Sequence, residues 1–155
     1  MIVVVDAGVL IAHLETSAAH HDAATQRLLG IAGSELAASV LTVGEVLAGP
    51  ARTGRVSEAQ AQLDVLAVRQ IAPGSDAATR LALLRARTGL KLPGCCVLLA
   101  AGDAAAQCIA TFDDRLAKAA LASGLTVPER GTAWASESAG TVEDRHNAST
   151  GGCVE

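Results

Sequence analysis

Short apolar runs separated by helix-length segments constrain this chain more than any other feature. The first, IVVV at Ile2–Val5, shows no polar alternation, which is how a strand buried on both faces reads. Further strand candidates follow at 36–39, 69–72, 108–111 and 125–127. Between them the pattern predicts helices. A short one begins with VLIAHL after an Ala7-Gly8 turn, and a second is capped by Ser17 and stopped by Gly30 and Gly33. Thr42 opens a third, with Glu45 three residues on in a capping-box pattern, and Gly49-Pro50 kinks or ends it. Ser57 caps a fourth, Ser75-Asp76 starts an amphipathic fifth ended by Gly89, Pro93-Gly94 opens an apolar sixth, and 113–122 forms the last. Strands alternating with helices imply an α/β domain of three layers, with a mostly parallel central sheet flanked by helices.

The 155 residues suffice for one domain with a real core. That domain is expected over 1–130, and the polar stretch 131–155, with Trp134 as its one anchor, is expected to be loosely packed or disordered. Half of the residues are hydrophobic but only 1% are aromatic, so Ala, Leu and Val supply the core, a composition suited to helices lying close on a sheet. No run approaches the roughly 18 apolar residues of a membrane span. The N-terminus lacks the basic region and cleavage site of a signal peptide, so a cytoplasmic protein without membrane contact is expected.

Cys95, Cys96, Cys108 and Cys153 form no CxxC pair, and no histidine cluster has zinc-like spacing, so the cysteines read as buried reduced thiols. His13, His20, His21 and His146 read as surface or packing residues. The net charge of −4 disfavours nucleic-acid binding by bulk charge. Arg80, Arg85, Arg87 and Lys91 nevertheless make a local basic concentration, which is either a solvated helix face or the rim of a site.

Ligands of open parallel sheets bind beyond the carboxyl ends of the strands. Asp6 follows the first strand, Asp113 and Asp114 follow the strand CIAT, and Glu45 lies in the first turn of the helix after the second strand. Each has a structural reading as well: the aspartates as helix caps, Glu45 as the capping-box partner of Thr42. Converging carboxylates raise one another's pKa unless a cation neutralises them. An oxygen-only donor set suits Mg²⁺ or Mn²⁺, which keep several waters and bind substrate phosphates. The chemistry therefore points to a metal-dependent nuclease or phosphatase.

At these residues the sequence resembles the PIN-domain ribonucleases, and specifically the VapC toxins of bacterial toxin–antitoxin pairs. The matching stretches are VVVDAGVLIA around Asp6, SVLTVGEVLAGPAR around Glu45, KLPGCCVLLAA, and IATFDDRLAKAA, in that order over residues 2–127. The resemblance implies a PIN-like fold and an Mg²⁺- or Mn²⁺-dependent endoribonuclease. Its acidic set is Asp6, Glu45 and Asp113, with Asp114 as a further candidate. Its expected partners are a VapB-like antitoxin, structured RNA of the tRNA or rRNA class, and a second copy of the chain.

One position departs from that pattern. The family's Leu-Pro step is ordinarily followed by a metal-binding aspartate; here Leu92-Pro93 is followed by Gly94. Position 94 reads as a helix N-cap, where glycine costs only a few tenths of a kcal/mol. The metal site loses one charge and two oxygens. Asp103 is no substitute, being about half a turn round and roughly 13 Å along the same helix, and the Cys95 thiol is a poor ligand for Mg²⁺. Impaired catalysis is the expectation. The alternatives are a catalytically inactive scaffold that binds an antitoxin or RNA, and a metal-dependent phosphatase.

Overall fold

In the computed structural model, which describes residues 1–128, four strands alternate with seven helices. They are β1 (Ile2–Val5), α1 (Ala7–Leu14), α2 (His21–Gly30), β2 (Glu35–Ser39), α3 (Val40–Arg52) and α4 (Val56–Val65). Then come β3 (Arg69–Ile71), α5 (Ala77–Thr88), α6 (Leu92–Asp103), β4 (Cys108–Ala110) and α7 (Asp114–Ala122). Trp134, His146, Cys153 and the proposed tail lie outside the described residues.

The sheet has the order β3-β2-β1-β4 and every pair is parallel. The chain steps outward from β1 to β3 and then returns to lay β4 on the other side of β1. Because parallel crossovers are right-handed, that reversal moves the connecting helices to the opposite face. The two cores show it. Val3, Val5, Ala38 and Ala110 pack with α1 to α4, whereas Val4, Ala37 and Ile109 pack with residues of α6 and α7. The result is the expected three-layer α/β domain, and the reversal puts a crevice between the carboxyl ends of β1 and β4.

Several expected boundaries move, each for a local reason. Asp6 caps α1 by accepting from the Ala7 N–H at 2.8 Å, so the helix begins at once and no turn precedes it. Ser17 does not cap α2; residues 15–21 first make successive turns. Ser57 does not cap α4, which starts at Val56. Pro50 falls in the last turn of α3, where the helix continues to Arg52. The cap of α3 is Ser39, whose hydroxyl accepts from the Leu41 N–H at 3.2 Å, so Thr42 and Glu45 form no capping box. Gly94 is likewise not a cap: α6 begins at Leu92 after Lys91, with Gly94 in its third position. Residues 125–127 give a single parallel bridge between Thr126 and Cys108 instead of a strand, and Pro128, having no N–H, cannot extend it.

Gly89 ends α5 in the left-handed region, at φ +65°, with its N–H bonded to the Arg85 carbonyl at 2.9 Å. A Cβ there would be strained by about 1 kcal/mol. Gly89→Ala is therefore expected to lower the melting temperature by roughly 3 °C, read by circular dichroism. An unchanged Tm would mean that the turn relaxes at no cost.

Candidate functional site

A cleft of about 540 Å³ opens at the carboxyl edge of the sheet, where the crevice between β1 and β4 lies. Asp6, Glu45, Gly94 and Asp113 all line it, with Lys91 and Arg115 among the remaining residues. The topology thus gathers three carboxylates that lie 39 and 68 residues apart along the chain. Asp114, one residue on in the first turn of α7, does not line the cleft.

Asp6 is held at both oxygens. Oδ1 accepts from the Ala7 N–H, and Oδ2 accepts from the Thr111 hydroxyl at 2.7 Å. The same hydroxyl oxygen accepts from the Asp113 N–H at 3.0 Å, so Thr111 ties the two aspartates into one unit. Burial pushes the Asp6 carboxyl above the ordinary aspartate value; the Thr111 and Ala7 hydrogen bonds oppose this, and the neighbouring Asp113 charge adds to it.

Asp113 caps α7, its Oδ1 accepting from the N–H groups of Arg115 and Leu116 at 2.8 and 3.0 Å. Its Oδ2 makes no hydrogen bond among the described residues. Glu45 is exposed on α3, and its carboxylate has no hydrogen bond or ion pair among the described residues. With the capping box gone, nothing local accounts for an acid there. Glu45 also lies near enough to Cys96 to push that thiol up further, after burial and the neighbouring Cys95. Cys96 is thus held as the neutral thiol, buried like Cys95 and Cys108.

Sequence reasoning missed two residues here. In the sequence Thr111 reads only as the end of a strand, although a hydroxyl two residues before Asp113 is placed to bridge it to a neighbour. Arg27 gave no signal beyond being a cation in a helix. From α2 it donates to the Thr111 carbonyl and stacks over the Phe112 ring at 4.6 Å, which pins the segment carrying Asp113. The histidines pack: His13 and His21 stack at 6.0 Å, and His20 lies 5.7 Å from the Phe112 ring. Asp103 is turned to other work, bonding Arg80 at 2.6 Å.

All three cleft carboxylates are oxygen donors, which fits a hard divalent cation better than zinc or copper. Among the described residues no three His, Cys, Asp or Glu side chains are grouped closely enough to share an ion as they stand. At Gly94 the wall offers no side-chain oxygen.

Comparison with known proteins agrees with this geometry. Residues 3–121 match the PIN domain. No curated protein matches the chain. A solved toxin–antitoxin complex from Klebsiella pneumoniae is similar at 24% identity, with a TM-score of 0.59 over 72% of this chain and 86% of that one. The sarcin–ricin-loop-cleaving toxin VapC20 of Mycobacterium tuberculosis is similar at 18% identity, with a TM-score of 0.64 over 80% and 96%. VapBC2 of Rickettsia felis, solved on a DNA fragment from its promoter, is similar at 15% identity, with a TM-score of 0.62 over 83% and 98%.

Proposed function

This chain belongs to the PIN-domain family, and from that premise we propose that it is the toxin of a toxin–antitoxin pair, an endoribonuclease whose catalysis is blunted at position 94. The observation that carries the reading is the convergence of Asp6, Glu45 and Asp113 on one cleft at the sheet's carboxyl edge. An acid half-buried beside another acid is costly unless a cation is to be held there.

Asp6, Glu45 and Asp113 would hold Mg²⁺ or Mn²⁺, which when bound supplies Lewis acidity and a more acidic water. The rest falls to the chain's own groups. The Ala7 N–H and the Thr111 hydroxyl fix Asp6 at both oxygens, so it presents one geometry. Asp113 is fixed by its capping bonds and by Thr111, and Glu45 lines the same cleft from a separate helix. Lys91 and Arg115 line the same cleft and are placed to meet the phosphate being cut. Water adds to phosphorus, the 3′-oxygen leaves and takes up a proton, and the products carry a 5′-phosphate and a 3′-hydroxyl.

Structured cellular RNA of the tRNA or rRNA class is the proposed substrate. A second copy of the chain and a small antitoxin, which lays a helix on the domain and sends a basic side chain into the acidic cleft, are the proposed partners. No helix among the described residues is long and apolar enough to cross a membrane, which agrees with a cytoplasmic setting.

Gly94 favours a second reading, a scaffold that binds antitoxin or RNA and no longer cuts. Incubating the full chain with total RNA, with Mg²⁺ or with a chelator, separates the two. Cleavage fragments that carry 5′-phosphates and vanish with chelator support the nuclease. Antitoxin binding without cleavage supports the scaffold, and turnover of a phosphomonoester with RNA left intact would overturn both.

A further inference from the structure

A second open cavity, of about 690 Å³, adjoins the acidic cleft. Arg87 and Thr88 at the end of α5 form one side of it; Arg115, Lys118, Ala119 and Ala122 along α7 form the other. No carboxylate lines it. In a chain of net charge −4, three cations around one cavity without an acid are not a product of bulk composition. Arg115 lines both cavities, and Lys91 lines the cleft, so the two share a basic residue at their junction.

The placement of these cations distinguishes them from a solvated helix face. Arg80 is engaged by Asp76 at 3.6 Å and by Asp103 at 2.6 Å, and Arg85 lines neither the cleft nor this cavity. Arg87, Lys91, Arg115 and Lys118 are in no ion pair among the described residues. Arg115 and Lys118 are three apart on one helix face, and Arg87 meets them from another helix. Arg115 is also pre-set: its Nη2 donates to the Gly89 carbonyl at 2.9 Å, which leaves other guanidinium N–H groups for an anion. Asp114 precedes Lys118 by one turn of α7 without lining the cavity. The small side chains of Ala119 and Ala122 let an extended chain come close.

We propose that this groove is the track for the phosphodiester backbone of single-stranded RNA entering the cleft, with Arg115 at the junction and Arg87 and Lys118 holding the adjoining phosphates. It rests on the nuclease reading for the identity of the chain that occupies it. Guanidinium and ammonium groups suit phosphate oxygens, and such contacts carry affinity without sequence preference.

The test is binding of a short fluorescein-labelled single-stranded RNA to the full chain, followed by anisotropy across a salt series. Relative to wild type, the double variant Arg87→Glu/Lys118→Glu is expected to bind about tenfold or more weakly. Its slope of log K against log salt should be shallower by about 1.4, for two lost phosphate contacts on a single strand. Arg55→Glu, which reverses a charge beside a different cavity, is expected to leave both quantities unchanged. All three positions are exposed, so the fold should persist, and circular dichroism verifies it. Unchanged binding by the double variant, or an equal loss with Arg55→Glu, overturns the track. So does wild-type protein that ignores the RNA but captures a polyglutamate peptide through the same two residues. If RNA binds through the groove while neither wild type nor Gly94→Asp cuts it, the track stands and the nuclease reading falls. Cleavage with unaltered binding in the double variant removes the track alone.

Discussion

Gly94→Asp is expected to raise Mg²⁺-dependent RNA cleavage on the order of a hundredfold, the rate equivalent of about 3 kcal/mol of transition-state stabilisation. The substitution adds a carboxylate to the wall shared by Asp6, Glu45 and Asp113. The backbone has room for it. A Cβ at position 94 would meet the Leu90 side chain at 3.6 Å or beyond, an ordinary contact. Inside the first turn of α6, replacing glycine also gains a few tenths of a kcal/mol in helix propensity. Against this, a fourth acid joins three others, so without a divalent cation the variant should gain no stability and with one it should gain more than wild type. Cleavage assays and melts at several Mg²⁺ concentrations read both effects. Equal cleavage by the two proteins would show that three carboxylates suffice and that glycine at 94 costs the chemistry nothing.

In the Gly94→Asp background, a further Asp6→Asn is expected to cut the rate on the order of a thousandfold. The same change should raise the melting temperature near neutral pH. Asparagine caps a helix as well as aspartate does, so the bond from the Ala7 N–H survives. What disappears is a half-buried charge next to Asp113. The sign follows from linkage. The folded-state pKa of Asp6 lies above its unfolded value, so the native state holds the proton more tightly. Its contribution is therefore most favourable below the unfolded pKa and is lost as pH rises through the folded one. Above both, ionised Asp6 works against folding. Asp6→Asn should flatten this part of the stability–pH curve and remove the penalty at neutral pH. A lower melting temperature in the variant would mean that the charged hydrogen bond from Thr111 outweighs the burial cost.

The sheet was legible because strands buried on both faces must be apolar at every position, as Ile2–Val5 is, and because each is followed by a helix-length segment. The gathering of Asp6, Glu45 and Asp113 followed from a general rule about where open sheets bind ligands. The caps were less legible. Thr42 with Glu45 has the right spacing for a capping box, but Ser39 stands earlier in the chain and accepts from the Leu41 N–H, leaving Thr42 buried as part of the core. Gly94 lies inside the first turn of α6 for a similar reason, since Pro93 is tolerated within a first turn and does not mark where one begins. Thr111 and Arg27 were out of reach for another reason. Their roles depend on partners 105 and 84 residues away, and nothing in their local sequence encodes those.

Two of the three cleft acids, Asp6 and Asp113, cap helices, and Lys91 and Gly94, which also line the cleft, open a third. Three helix N-termini therefore have residues lining one cleft, and each end carries roughly half a positive charge. Against three carboxylates, about half of the counter-charge is built into the backbone itself. That backbone charge lessens the repulsion among the three acids, and glycine at position 94 adds no further acid to it. The same backbone charge that offsets the acids also weakens the cleft's hold on a cation, so the ease of folding and the affinity for an ion are set against each other.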